Sequence, residues 1–325
     1  MPTRRRFLRQ TFAFSALAGF SRQALAAPVN PAAQHMLLIG DWGYSGDLSQ
    51  QTAVAKAMQS YIAGHHIRPG ALFLLGDNFY GKFEGHVKCP RWKTQFEEMY
   101  PRAAFDCPCY AILGNHDYHV EPADKLDAQL AYAGATPGTR WTMPAKWYRF
   151  EFPRLNPLVT FLALDSNYQK PAEGKLALTD DERTAQQAWL KAELAKPRTT
   201  PFLAVAGHHP VFSNGPHGDN KALIEKWDPL LREHRAHLYL GGHDHDLQHL
   251  EFDAHPTSFV LSGGGGAKLY PLARTADERG PYAASVAGFT HLEITPRSIV
   301  VRHVDPAGKT LHAFSKAPDG KVGML

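Results

Sequence analysis

The sequence predicts a layered α/β protein in which two mixed β-sheets lie between helices, and three observations carry that expectation. Short apolar runs end on small or polar residues, stretches of helical periodicity separate them, and a late pair of runs is split only by Thr295-Pro296-Arg297-Ser298. Strands joined through helices pair in parallel, whereas a short split returns the chain antiparallel, so mixed sheets are expected.

In chain order, Met36 to Ile39 before Gly40-Asp41, Ala71 to Leu75 before Gly76-Asp77 and Tyr110 to Leu113 before Gly114-Asn115 read as buried strands. Val54, Met58, Tyr61 and Ile62 repeat at helical spacing between the first two, which gives a β-α-β unit. The second half continues with strands over Val159 to Leu164, Phe202 to Ala206, Leu238 to Leu240 and Phe259 to Leu261. Trp189, Leu190 and Leu194, then Leu223, Trp227 and Leu230, mark helices, with Pro229 kinking or restarting the last one and Asp228 available as its cap. Phe289 to Ile294 and Ile299 to Val304 form a β-hairpin.

Residues 1–26 read as an export leader. Arginines at Arg4, Arg5, Arg6 and Arg9 precede a mild apolar run from Thr11 to Phe20 and a small-residue cleavage site at Ala24-Leu25-Ala26, a pattern that fits twin-arginine export of an already folded, metal-loaded protein. Residues 27–325 are expected to form one domain, periplasmic or secreted and monomeric. The leader holds five arginines and no acid, so 35 basic and 31 acidic residues become 30 and 31 without it, and the net charge moves from +4 to −1. That excludes a basic nucleic-acid surface, and no apolar run is long enough for stable membrane insertion. Cys89, Cys107 and Cys109 allow one disulfide, from Cys89 to Cys107 or Cys109, with a thiol left over.

Five strings at strand ends carry the chemistry: Asp41 in DWG, Asp77 and Tyr80 in GDNFY, Asn115 and His116 in GNHD, His208 in VAGHHP, and His243 with His245 in GHDH. One first-row ion takes four to six ligands, so this many donors call for two ions sharing a carboxylate. Gly263 to Gly266 would let backbone approach the centre or form a flexible loop. Trp42, Tyr44 and Phe79 flank the donors as pocket wall or core. His65, His66, His119, His234, His237 and His249 are read as surface groups that turn the mature protein positive in acid.

Taken in this order, the strings resemble the motifs of the purple acid phosphatases, within the calcineurin-like metallophosphoesterase superfamily. Arg140-Trp141, Trp147-Tyr148-Arg149, Val260-Leu261-Ser262-Gly263 and Gly288-Phe289 are similar to the small, tartrate-resistant branch. The resemblance implies a four-layer α/β sandwich of two mixed sheets flanked by helices, with the metals at its edge. It implies one ion on Asp41, Asp77, Tyr80 and His245 and a second on Asp77, Asn115, His208 and His243, with Asp77 bridging. The carboxylates and phenolate of the first set suit Fe(III); the amide and imidazoles of the second suit divalent iron, zinc or manganese. Many other members of the superfamily carry histidine where this chain has Gly43 and no tyrosine where it has Tyr80.

The activity implied is hydrolysis of small phosphate monoesters at acid pH, with a hydroxide delivered by the trivalent ion attacking phosphorus. His116 and His217 would bind phosphate and protonate the leaving oxygen, and Asp117 would orient His116. His209 is left between a substrate contact and packing. A phosphodiesterase or nucleotidase on the same centre, and a non-hydrolytic iron protein that binds phosphate or carries electrons, are the alternatives.

Overall fold

A computed structural model describes residues 28–119, 125–168 and 177–325; the leader and its cleavage site lie outside the described residues. In chain order the elements are β1 (Gln34–Ile39), α1 (Ser49–Gly64), β2 (Ala71–Leu74), β3 (Cys109–Ala111), α2 (Lys125–Ala135), β4 (Trp141–Thr142), β5 (Tyr148–Phe152), β6 (Val159–Ala163), α3 (Asp180–Leu194), β7 (Phe202–Ala206), α4 (Lys221–Lys226), α5 (Asp228–Glu233), β8 (Leu238–Gly241), β9 (Leu247–Leu250), β10 (Ser258–Ser262), β11 (Pro281–Ala284), β12 (Phe289–Thr295), β13 (Ser298–Val304), β14 (Thr310–Lys316) and β15 (Val322–Met324). One sheet has the order β15-β14-β13-β12-β1-β2-β3-β4, the other β11-β9-β10-β8-β7-β6-β5.

Both sheets are mixed, and the mixture positions the site. The pairs β1–β2, β2–β3 and β3–β4 are parallel, as are β6–β7, β7–β8 and β8–β10. Parallel neighbours deliver their carboxyl ends to one edge, so the segments after β1, β2, β3, β7 and β8 emerge side by side. Antiparallel β12 beside β1, and β9 beside β10, extend the sheets away from that edge.

The sheets pack face to face. Phe73 of β2 meets Phe161 of β6 edge-on at 5.9 Å between ring centroids. Alternation along the second sheet sends Phe161, Ala163, Ala204, Ala206, Leu238 and Leu240 into the core between the sheets. Their neighbours Leu162, Leu164, Leu203, Val205 and Tyr239 turn outward under Leu190, Leu223 and Trp227 of the helical layer. On the other side α1 lays Tyr61 against Phe289 of β12 at 5.5 Å. Among the described residues no helix is long and apolar enough to cross a membrane.

The hairpin forms as expected, with Thr295 paired to Ser298 around Pro296-Arg297. Pro229 does restart the helix, since α4 ends before it and α5 carries it in its first turn. Asp228 is not the cap. Its carboxylate accepts instead from Arg232 Nε at 2.9 Å and bonds His255 Nε2 at 2.8 Å, because it already lies inside the first turn. No disulfide forms either: Cys89, Cys107 and Cys109 are separate buried thiols that pack as small apolar side chains in the larger core. Trp42 and Phe79 are core residues, whereas Tyr44 is half-buried with its ring 5.8 Å from that of Tyr80. His237 and His249, expected at the surface, are buried on hydrogen bonds to Leu203 N, Pro318 O, Glu251 and His312.

Candidate metal centre

Each donor sits on the loop that follows a strand, and the loops are forced into unusual backbone to bring them together. Asp41, Asp77 and His243 have φ of 57°, 51° and 71°, a left-handed conformation costing roughly 1–2 kcal/mol each for residues with a Cβ. Hydrogen bonds between the loops offset that cost. Asp41 N donates to Gly76 O at 3.0 Å, and His243 N donates to Asp41 Oδ2 at 2.8 Å. Gly40 N reaches Ser262 O at 2.7 Å and Gly265 N reaches Gly40 O at 3.1 Å, so the glycine run after β10 does bring its backbone against the centre.

The side chains form two donor sets. In the first, Tyr80 Oη lies 3.1 Å from Asp41 Oδ1 and 3.1 Å from His245 Nε2, and His245 Nε2 lies 3.5 Å from Asp41 Oδ1. In the second, Asn115 Oδ1 lies 3.2 Å from His208 Nε2 and 2.9 Å from His243 Nδ1. Asp77 Oδ1 approaches His208 Nε2 at 3.4 Å, and its carboxylate also faces the Tyr80 phenol, so it stands between the sets. Two donors bound at about 2.1 Å to one ion at octahedral or tetrahedral angles stand about 3.0–3.4 Å apart, the spacing seen within each set. The ring nitrogens agree: His208 Nδ1 donates to Leu75 O at 2.9 Å and His245 Nδ1 to Lys268 O at 2.5 Å, so Nε2 is the nitrogen each ring would offer to an ion.

The electrostatics ask for cations. Asp41, Asp77 and His208 are all buried and form a group able to hold an ion. Burial works against charge on His208, but Asp77 and Asp41 outweigh it and raise the ring to about 10. Burial and the same two carboxylates push the Tyr80 phenol well up. Without ions the carboxylates can draw positive charge only from protons on their neighbours; a metal pair supplies it while freeing Tyr80 and the imidazoles as ligands. The residues therefore fit a dinuclear centre.

Around these donors stand three further imidazoles. The His116 ring lies on Tyr80 at 4.1 Å, and burial pushes its imidazole down to about 4. His217 packs on His243 at 4.2 Å, with Nδ1 bonded to Asp244 Oδ1 at 2.6 Å and 43% of its side chain exposed. His209 lies on the same ligand at 4.3 Å and bonds Ser166 Oγ at 2.8 Å.

The sequence profile of the calcineurin-like phosphoesterases matches residues 35–247. Tartrate-resistant acid phosphatase type 5 of Mus musculus is 33% identical over 85% of this chain and 88% of its own length. The Homo sapiens protein of the same name is 32% identical over 89% and 92%. The chain belongs to the purple acid phosphatases. Purple acid phosphatase 7 of Arabidopsis thaliana is 28% identical over 86% of the chain and 84% of the relative. Two solved structures share the fold: the purple acid phosphatase PPD1 from yellow lupin seeds, at TM-score 0.65, 15% identity and coverage of 89% and 55%, and GAP50, the anchor in the inner membrane complex of Plasmodium, at 0.67, 21%, 86% and 87%.

Like its relatives, this purple acid phosphatase is a hydrolase of the metallophosphoesterase superfamily, and the seven predicted donors come together in it as two sets. Asp117 does not do what the sequence reading gave it. Its carboxylate accepts from Asn78 N at 3.1 Å, Phe79 N at 3.0 Å, Gly114 N at 2.8 Å and Gln129 Nε2 at 3.0 Å, and no hydrogen bond joins it to the His116 ring. It ties the Asp77–Tyr80 loop to the Gly114 turn. Lys125 adds a second tie, donating to Phe79 O at 3.1 Å and His116 O at 2.6 Å, and Arg91 a third, donating to Gly43 O at 2.7 Å and Lys82 O at 2.8 Å. These supports, with Asp244 and Ser166, escaped the sequence reading because their partners are backbone groups or lie far along the chain. Only Asp244 carried a signal, as the acid between His243 and His245.

Proposed function

We propose that this acid phosphatase hydrolyses small phosphate monoesters over an Fe(III) ion held by Asp41, Asp77, Tyr80 and His245 and a divalent iron, zinc or manganese ion held by Asp77, Asn115, His208 and His243. The observation that carries this reading is the chemical asymmetry of the two sets: a phenol and a private carboxylate gather on one side, an amide and two imidazoles on the other. When bound, the pair supplies Lewis acidity for the phosphate oxygens and the nucleophile for attack on phosphorus.

The chain's own residues do the rest. His116, whose ring lies on Tyr80 at 4.1 Å, is placed to donate a hydrogen bond to phosphate. His217 takes the proton-donor role. Asp244 fixes its Nδ1, so Nε2 is the nitrogen left free for the leaving oxygen. Asp117 is a positioning residue for the Asp77 loop. The paired arginines of the leader support export of the folded protein to the periplasm or beyond, as expected for a centre loaded before transit.

The test is made on purified protein: metals per chain, the visible spectrum before and after a mild reductant, and rates on p-nitrophenyl phosphate and its bis-ester. Two ions per chain, a visible band and faster monoester cleavage are expected. A colourless, fully metallated protein with one ion per chain overturns the reading.

A further inference from the structure

His209 is the one imidazole beside the metal ligands without a role, and its hydrogen bonds leave one of its nitrogens with nothing to do inside the protein. The ring follows ligand His208 directly, lies 4.3 Å from His243, and is 8% exposed. Ser166, in the segment after β6, accepts from His209 N at 2.8 Å and bonds Nδ1 of the ring at 2.8 Å through the same Oγ. Ser166 is buried, at 1% exposure, and its Oγ has no further partner among the described residues. Its hydroxyl proton is satisfied only by donation to Nδ1. A neutral ring that accepts at Nδ1 carries its own proton at Nε2.

That Nε2–H has no acceptor among the described residues, and the residue as a whole keeps 8% of its surface exposed. The ring borders His243, as does that of His217, which packs on the same ligand at 4.2 Å. We infer that His209, held by Ser166, is a substrate-binding residue whose Nε2–H donates to a terminal oxygen of the phosphate group. This rests on the phosphomonoesterase reading and deepens it. A monoester presents three terminal oxygens and a diester two, so a second imidazole donor to terminal oxygens beside His116 favours monoesters. Ser166 is a positioning residue: it selects the tautomer. The residues after β6 thereby join the site, although they supply no metal ligand.

Two variants separate binding from packing. His209→Asn keeps an amide at the position of Nδ1 for Ser166 but has no atom at Nε2, whereas His209→Gln reaches further and restores a donor. Inorganic phosphate is titrated into the metal-loaded proteins by calorimetry, with metals per chain and Tm recorded beside it. The dissociation constant of His209→Asn is expected to rise about tenfold, with metal content unchanged and a lower monoester-to-diester ratio of kcat/KM, and that of His209→Gln to stay within about threefold of the parent. Unchanged phosphate binding in His209→Asn overturns the inference. So does an equal loss in both variants accompanied by loss of metal, which would make His209 a packing partner of His243. A parent protein that neither binds phosphate nor cleaves the monoester fails the functional reading itself, a result distinct from either.

Discussion

At the scale of single residues, the proposed function separates groups that would hold ions from groups that would handle substrate, and substitutions should reveal the boundary. His116→Ala removes a phosphate donor that bonds no metal through its ring, so kcat/KM should fall by roughly 10²-fold or more while the visible band and the metal content persist. His217→Asn should lower kcat on the monoester by roughly 10²-fold with metals per chain unchanged, since it removes the proton donor for the leaving oxygen; an unchanged kcat would assign the acid elsewhere. Tyr80→Phe should abolish the visible band, because it deletes the phenolate that stands 3.1 Å from Asp41 and His245. A band of unchanged intensity would show the colour has another source. The donors were readable in sequence since each is a side chain of the right chemistry just beyond a strand. Asp117 was misread for the opposite reason. Adjacency to His116 suggested a partner, but the N–H groups it serves belong to residues 78, 79 and 114, a relation that only the folded loops disclose.

At the scale of elements, strand ends set the register of the site, and close backbone contact leaves little freedom to redesign it. Gly43 stands where many relatives in the superfamily place a histidine ligand, yet a Cβ there would lie 1.6 Å from Asn78 O and 2.9 Å from Phe79 N. Tyr80 N in turn donates to Gly43 O at 2.9 Å. The tyrosine ligand and the glycine are therefore one structural choice. Gly43→His should not supply a replacement ligand, even combined with Tyr80→Phe; it should push the Asn78–Tyr80 loop aside and yield fewer than two ions per chain by metal analysis. Gly114 is equally closed, because a Cβ would sit 2.2 Å from Asp77 Oδ1. Two bound ions in Gly43→His would show the loop more yielding than its contacts imply. The strands that carry the ligands were legible as apolar runs, since both their faces are covered. Those that were missed have polar or mixed sequences: β9 buries Gln248 and His249, and β14 reads TLHAFSK. Polar side chains on buried positions hide β9 and β14 from period-based reading, whereas β5, YRFEF, alternates buried and half-buried residues over only five positions.

At the scale of the whole molecule, histidine content was expected to charge the protein in acid, and burial reverses the expectation for most of the rings outside the site. His35, His237, His249, His255, His291, His303 and His312 all lie below the ordinary imidazole value, with burial as the largest cause. His303 and His312 fall to about 3. They belong to one cluster where β9 meets the far strands of the other sheet: His303 bonds Thr290 Oγ1 and Gln248 O, His312 bonds His249 and stacks on Tyr282, and Glu251 faces His249. The sign follows from linkage. Between pH of about 3 and 6.5 the unfolded chain binds protons at these two positions and the native state does not, so their stabilising contribution is complete above about 6.5 and is lost as the pH falls. Each costs about 1.4 kcal/mol per pH unit in that window. An enzyme built for acid chemistry thus loses stability in the range where it works, and metal loading offsets the loss through mass action. His312→Phe keeps a ring against Tyr282 and deletes one titrating group. Its unfolding free energy, measured against the parent from about pH 4 to 5.5, should have a slope shallower by about 1.3 kcal/mol per pH unit. The subtraction removes the proton exchange at the metal centre, which both proteins share, so parallel slopes would mean that His312 titrates normally in the folded protein.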